Sequence, residues 1–79
     1  MDSESIPLWR LNVGKKATVQ SLMFEGPVRR RMLDLGVIEG TEIAPLFQSP
    51  SGSPVAYMIR GAVIALRQDI SSGILVREC

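Results

Sequence analysis

Glu25-Gly-Pro-Val-Arg-Arg-Arg-Met-Leu-Asp-Leu-Gly-Val-Ile-Glu-Gly-Thr41 is the stretch whose reading decides the fold. It spells one short helix with both ends marked. Gly26 is an acceptable N-cap, and Pro27 suits the first helical position, where its missing N–H costs nothing and its φ is already helical. Val28, Met32 and Leu35 follow at i, i+4 and i+7 and form one apolar stripe directed inward. Gly36 suits the left-handed residue that ends a helix, and Val37 folds back onto Met32 as the apolar contact of that cap. The spacing predicts a helix over Pro27–Leu35. Gly40 then turns the chain, and an alternating strand pattern starts at Thr41.

One choice in this helix runs against its own electrostatics. Arg29, Arg30 and Arg31 occupy the first turn, where the partial positive charge of the helix N-terminus disfavours cations. Sequences that break a local rule tend to do so at functional sites. A solvated face, with Arg30 and Asp34 paired at i, i+4, is the plainer account.

Outward from the helix, the chain alternates in strand fashion. Residues 1–7 read as a loose tail, and Leu8 and Leu11 anchor one turn against the core. Asn12-Val13-Gly14 is a turn. A first strand runs from about Lys16 to Met23. A second covers Thr41–Gln48 with Ile43 facing inward, and Pro45 inside it demands an edge or a bulge. Ser49–Pro54 is a turn cluster. Val55, Tyr57 and Ile59 alternate in a third strand, and Tyr57 and Phe47 read as core. Arg60-Gly61 marks a tight hairpin in which Gly61 takes positive φ. Ala62, Ile64 and Leu66 give a fourth strand, Asp69–Gly73 a helical turn, and Ile74 with Val76 a fifth strand. The fold class is therefore mainly β: a small, partly open SH3-like barrel of about five strands, with one helix inserted after the first. The structural turns are Gly14, Gly36, Gly40 and Gly61, and residues 1–79 make a single domain.

Composition narrows the function. The 79 residues suit one small domain with a thin core. Nine basic and eight acidic residues leave +1, which gives no electrostatic footprint for nucleic acid or a membrane surface. The four aromatics are not interleaved with Lys or Arg, as stacking sites for bases require. With no histidine and one cysteine, Cys79, neither a Ser-His or Cys-His nucleophile nor a conventional metal cluster is available. The expectation is no enzyme, no cofactor and no intrinsic metal site. The acidic Met1-Asp2-Ser3-Glu4 start is unlike a signal peptide, and the lone cysteine agrees with a reducing cytoplasm. Hydrophobic residues make up 46% of the chain. That is high for so small a domain, so some apolar surface is left for a partner. Arg29, Arg30 and Leu33 on the helix, and Met58 and Val63 on the hairpin, are the candidate contact residues.

Several short pieces now stand in order: Leu8-x-x-Leu11-x-x-Gly14, Ala17-Thr-Val19, Arg30-Arg-Met-Leu-Asp-Leu-Gly36, Gly40-Thr41, Pro54, Arg60-Gly61, Ile64-Ala-Leu-Arg67 and Ile74-x-Val76. Together, over about Ile6 to Arg77, they resemble the FeoA family. The resemblance implies an SH3-like fold with a helix after the first strand. It also implies a cytoplasmic accessory protein of bacterial ferrous iron uptake, whose partner is the FeoB-type membrane transporter with its cytosolic GTPase part. Contact with the membrane is then indirect, and a weak homo-oligomer is a further association. The same fold closes the iron- and manganese-dependent repressors. A freestanding regulatory domain of that kind is the alternative, although 79 residues hold neither their helix-turn-helix nor their metal-binding dimerisation domain. Met32 stands where the family usually has leucine, and Ala62 and Val63 make the hairpin more apolar than is common there.

Overall fold

The computed structural model describes residues 5–79. Among them, β1 (Ile6–Pro7), β2 (Ala17–Leu22), β3 (Glu42–Gln48), β4 (Val55–Ile59), β5 (Ala62–Leu66) and β6 (Ile74–Glu78) form one antiparallel sheet in the order β1-β6-β2-β3-β4-β5. The helix α1 (Pro27–Asp34) lies between β2 and β3, and a four-residue helix, α2 (Gln68–Ser71), leads into β6. A sheet of six short strands with free edges at β1 and β5 is the open, SH3-like form of a barrel.

Six strands replace the expected five because Ile6 and Pro7 are not tail. They pair with Val76 and Leu75 of β6. Ile6 packs against the core, and Pro7, with no N–H to offer, sits where an edge tolerates it. Residues 1–4 of the expected tail lie outside the described residues. Next, a 3-10 turn over Leu8–Arg10 brings Leu8 and Leu11 into the interior, both buried.

Two irregularities bend the sheet and reset which face each side chain takes. Between Val19 and Ser21 the β2–β6 register shifts, so Leu22 rather than Ser21 packs against the core. Between Pro45 and Phe47 the β3–β4 register shifts. Without that shift Phe47 would follow Ile43 and Pro45 inward, because strand side chains alternate with a period of two. With it, Phe47 faces solvent at 62% exposure, which corrects its assignment to the core. Pro45 sits at the bulge, past the short stretch where β3 pairs with β2 at Ile43 and Glu42. It therefore interrupts no ladder on that side.

The core gathers Leu8, Val19, Val37, Ile43, Tyr57, Ile59, Ile74 and Val76, all essentially sealed from solvent. Tyr57 is the largest of them, and it shares a hydrogen bond with Ser71. Burial raises its pKa above the ordinary value, and the Ser71 bond opposes this more weakly. The folded chain thus holds the phenol neutral while the unfolded chain ionises near pH ~10. Stability should be full below that pH and fall as pH climbs from there toward the folded pKa. Urea midpoints measured across that range should show the loss, and Tyr57→Phe should flatten it. An equal slope in the variant would assign the loss to other groups.

Helix α1 touches the sheet through its second half. Met32 is its one buried residue, and Leu35 packs at the core's margin. Val28, expected inward, is exposed, because the first turn precedes the part of the helix that lies on the sheet. The helix ends as its sequence requires. Val37 N–H donates to the Met32 carbonyl at 2.9 Å and Gly36 N–H to the Leu33 carbonyl at 3.0 Å, the paired bonds of a Schellman cap. Gly36 takes φ +94°, and a Cβ there would run into the Arg60 side chain. The Arg60 side chain of the β4–β5 hairpin thus lies against the backbone that ends α1. Gly36→Val should cost more than ~1 kcal/mol from backbone strain alone, with a further cost for displacing Arg60. That corresponds to a fall in melting temperature of roughly 4–8 °C per kcal/mol for a domain this size. An unchanged melting temperature would contradict this account of the cap.

Candidate partner-binding surface

Gly26 precedes α1 at φ 75°, ψ −149°, and no side chain caps the helix. The N-terminal half instead carries Arg29 and Arg30, and Arg31 opens the last turn; all three are exposed. Arg29 reaches back to the Leu22 carbonyl with a 3.4 Å hydrogen bond. The ion pairs among the described residues lie elsewhere, at Lys15–Glu78 and Arg67–Asp69, each 3.7 Å. Arg30 and Asp34 do not pair, so of the plainer account the fold keeps the solvated face and not the ion pair. Two guanidinium groups, those of Arg29 and Arg30, lie toward the positive end of the helix dipole, and with Arg31 they make the patch locally cationic on a chain of +1.

Apolar side chains interrupt this charge. Leu33 is 40% exposed between the arginines. Arg29, Arg30 and Leu33 border one open hollow with Gly26, Pro27 and Asp34. Arg29 and Leu33 also border a second hollow, which continues to Ile38 and Glu39. Ile38 and Glu39 in turn border a third, whose far wall is Met58 and Arg60. The helix and the hairpin therefore present one continuous surface, running from Arg30 through Leu33 and Ile38 to Met58. Val63 lies beyond it, paired across the strands with Met58.

Of the candidate contact residues, the fold brings Arg29, Arg30, Leu33 and Met58 to this surface and sets Val63 at its outer margin. Ile38 is the link that sequence reading misses. It falls between the helix cap and β3, where no periodicity marks it, and only the fold shows it exposed and adjacent to both patches. Its position is fixed by hydrogen bonds: Ile38 N–H meets Thr41 Oγ1 at 3.3 Å, and the same hydroxyl donates to the Gly36 carbonyl at 2.9 Å. Gly40 N–H bonds the Val19 carbonyl at 2.8 Å, and Gly14 N–H faces Pro45 O at 3.4 Å, which ties the neighbouring turns to the sheet.

The chemistry available is that of recognition. Arginine donors cluster at the helix end of the surface, exposed aliphatics and the carboxylates of Asp34, Glu39 and Glu42 line the rest, and no group of three or more Cys, Asp or Glu converges to hold a metal ion among the described residues. Tyr57, whose pKa the fold raises, is buried in the core. No helix of the described residues is long and apolar enough to cross a membrane.

The FeoA domain family matches residues 6–78. The chain belongs to that family. The FeoA-like protein of Clostridium acetobutylicum is 34% identical, with a match over 96% of this chain and 87% of that one and a TM-score of 0.84. The FeoA of Stenotrophomonas maltophilia, a prokaryotic SH3 domain protein solved with zinc, is 23% identical over 92% of this chain and 88% of that one, TM-score 0.78. A manganese-dependent transcriptional repressor shares the fold at 18% identity. There the match takes in 95% of this chain but 41% of the repressor, TM-score 0.85. No curated protein matches the sequence. Membership in the FeoA family associates the chain with ferrous iron transport and gives its SH3-like fold a family context.

Proposed function

We propose that this FeoA-family chain is a non-catalytic, cytoplasmic accessory protein that binds the cytosolic GTPase part of a FeoB-type ferrous iron transporter and modulates it. The match over residues 6–78 carries the association with iron uptake. The arginines beside Leu33, Ile38 and Met58, without ion-pair partners among the described residues, supply the means of contact. Arginine anchors next to exposed aliphatics are the composition of a protein interface, and the shared positive field steers an acidic partner face onto them. The test is direct binding of the purified chain to the transporter's cytosolic domain by calorimetry at low salt. Saturable one-to-one binding that weakens as salt rises supports the proposal. No binding at any salt concentration contradicts it.

A freestanding regulatory domain is the second reading, favoured by the fold shared with the manganese-dependent repressor. It requires a DNA-bound partner in place of the transporter. Capture of a repressor, with no affinity for the transporter domain, would select it.

A further inference from the structure

The two edges of the sheet are treated differently by the sequence. At one edge, β1 is two residues long and includes Pro7, so it offers almost nothing to an incoming strand. At the other, β5 is Ala62-Val63-Ile64-Ala65-Leu66, five residues without a charge, a proline or a bulge. Soluble proteins usually blunt such an edge with one of those devices. Here none is present.

The hairpin geometry says which backbone groups are free. Arg60 and Gly61 both have positive φ, 51° and 82°, so the two-residue turn is of the I′ kind. Ile59 and Ala62 then close the first hydrogen-bonded pair, and the ladder to β4 uses Ala62, Ile64 and Leu66. The N–H and C=O groups of Val63 and Ala65 point outward. These two residues are symmetric about Ile64.

We propose that β5 pairs antiparallel with β5 of a second copy of this chain, about a two-fold axis at Ile64, so that Val63 and Ala65 exchange backbone hydrogen bonds across the axis. The outer face fits the same operation. Ala44, Met58 and Val63 form one apolar cross-strand row, and Phe47 and Ala65 flank the buried Ala56 in another. The two-fold places Val63 opposite Ala65 of the second copy, so each row of one copy continues into the other row of its mate. Met58, Val63 and Phe47, exposed at 36%, 58% and 62%, then belong to one twelve-stranded sheet face. No like charges meet along the paired strands. The two-fold brings the flanking Arg60 opposite Gln68 of the second copy, next to its exposed Arg67–Asp69 pair. One strand pair buries less than the ~1,200–2,000 Å² of a standard interface, so the dimer is weak and concentration-dependent. It meets the far end of the arginine surface at Met58 but leaves Arg29, Arg30 and Leu33 uncovered, and it does not depend on the function proposed above.

Sedimentation equilibrium from micromolar to millimolar chain tests it, alongside amide exchange at both ends of that range. The expected result is a rise from monomer to dimer mass, with the Val63 and Ala65 amides becoming protected as the dimer forms. Ala65→Pro removes an outward N–H while sparing the ladder to β4. Val63→Lys places a charge on an exposed edge position. Each should weaken dimerisation by about tenfold or more, with circular dichroism unchanged. If Ala65→Pro does not fold, Val63→Lys decides the matter. A parent chain that stays monomeric at millimolar concentration overturns the proposal, as does a dimer that survives unweakened in the folded variants.

Discussion

Ile59→Ala is expected to destabilise the fold by roughly 2–5 kcal/mol, the range for truncating a fully buried aliphatic side chain. Ile59 has no solvent exposure and stands between Ile43 on β3 and Ala62 on β5. The same strand positions that seal it leave little freedom for the neighbours to collapse into the cavity, because β4 is hydrogen-bonded on both sides. A chain of 79 residues holds a total stability of roughly 4–12 kcal/mol, so this one change removes a large part of it. Met58 is the control. It is the next residue, points to the opposite face and is exposed, so Met58→Ala should stay within ~0.5 kcal/mol of the parent. Urea denaturation followed by circular dichroism measures both. Equal midpoints for the two variants would contradict the assignment of inner and outer faces on β4.

That assignment was legible on β4 because an unbroken strand obeys its period of two. It was not legible at Phe47 or at Ser21 and Leu22. Pro45 announces a bulge in β3 but not that it turns Phe47 outward, and nothing near Ser21 announces the shift in β2. The helix shows the same division. Pro27, Gly36 and Val37 mark its ends because capping is local chemistry, and the Schellman bonds form where those residues place them. Val28 lies on the apolar stripe yet is exposed, because periodicity says which residues share a stripe and not how much of the stripe the sheet covers. Ile6 and Pro7 became a strand only through partners at Val76 and Leu75, at the far end of the chain. Of the surface, the arginines stood out in sequence because they oppose the helix dipole. Their continuity with Met58 through Ile38 is a property of the fold, since Gly36, Arg60 and Thr41 must first bring the hairpin, the cap and β3 together.

The second large effect is expected in binding rather than in stability. Arg29→Glu together with Arg30→Glu reverses two adjacent charges on an exposed face, and neither residue is buried or ion-paired among the described residues. Folding should therefore survive. Melting temperature should hold or rise slightly, because carboxylates suit a helix N-terminus and guanidinium groups do not. Against an acidic partner face, however, like charges now meet, and juxtaposition of that kind costs several kcal/mol at an interface. The most direct measurement is the affinity of this double variant for the cytosolic domain of the FeoB-type transporter, taken with its melting temperature on the same sample. Binding weakened by orders of magnitude in a variant that melts no lower than the parent is the predicted result. A folded variant that binds as tightly as the parent would contradict it and show that the α1 surface is not the contact.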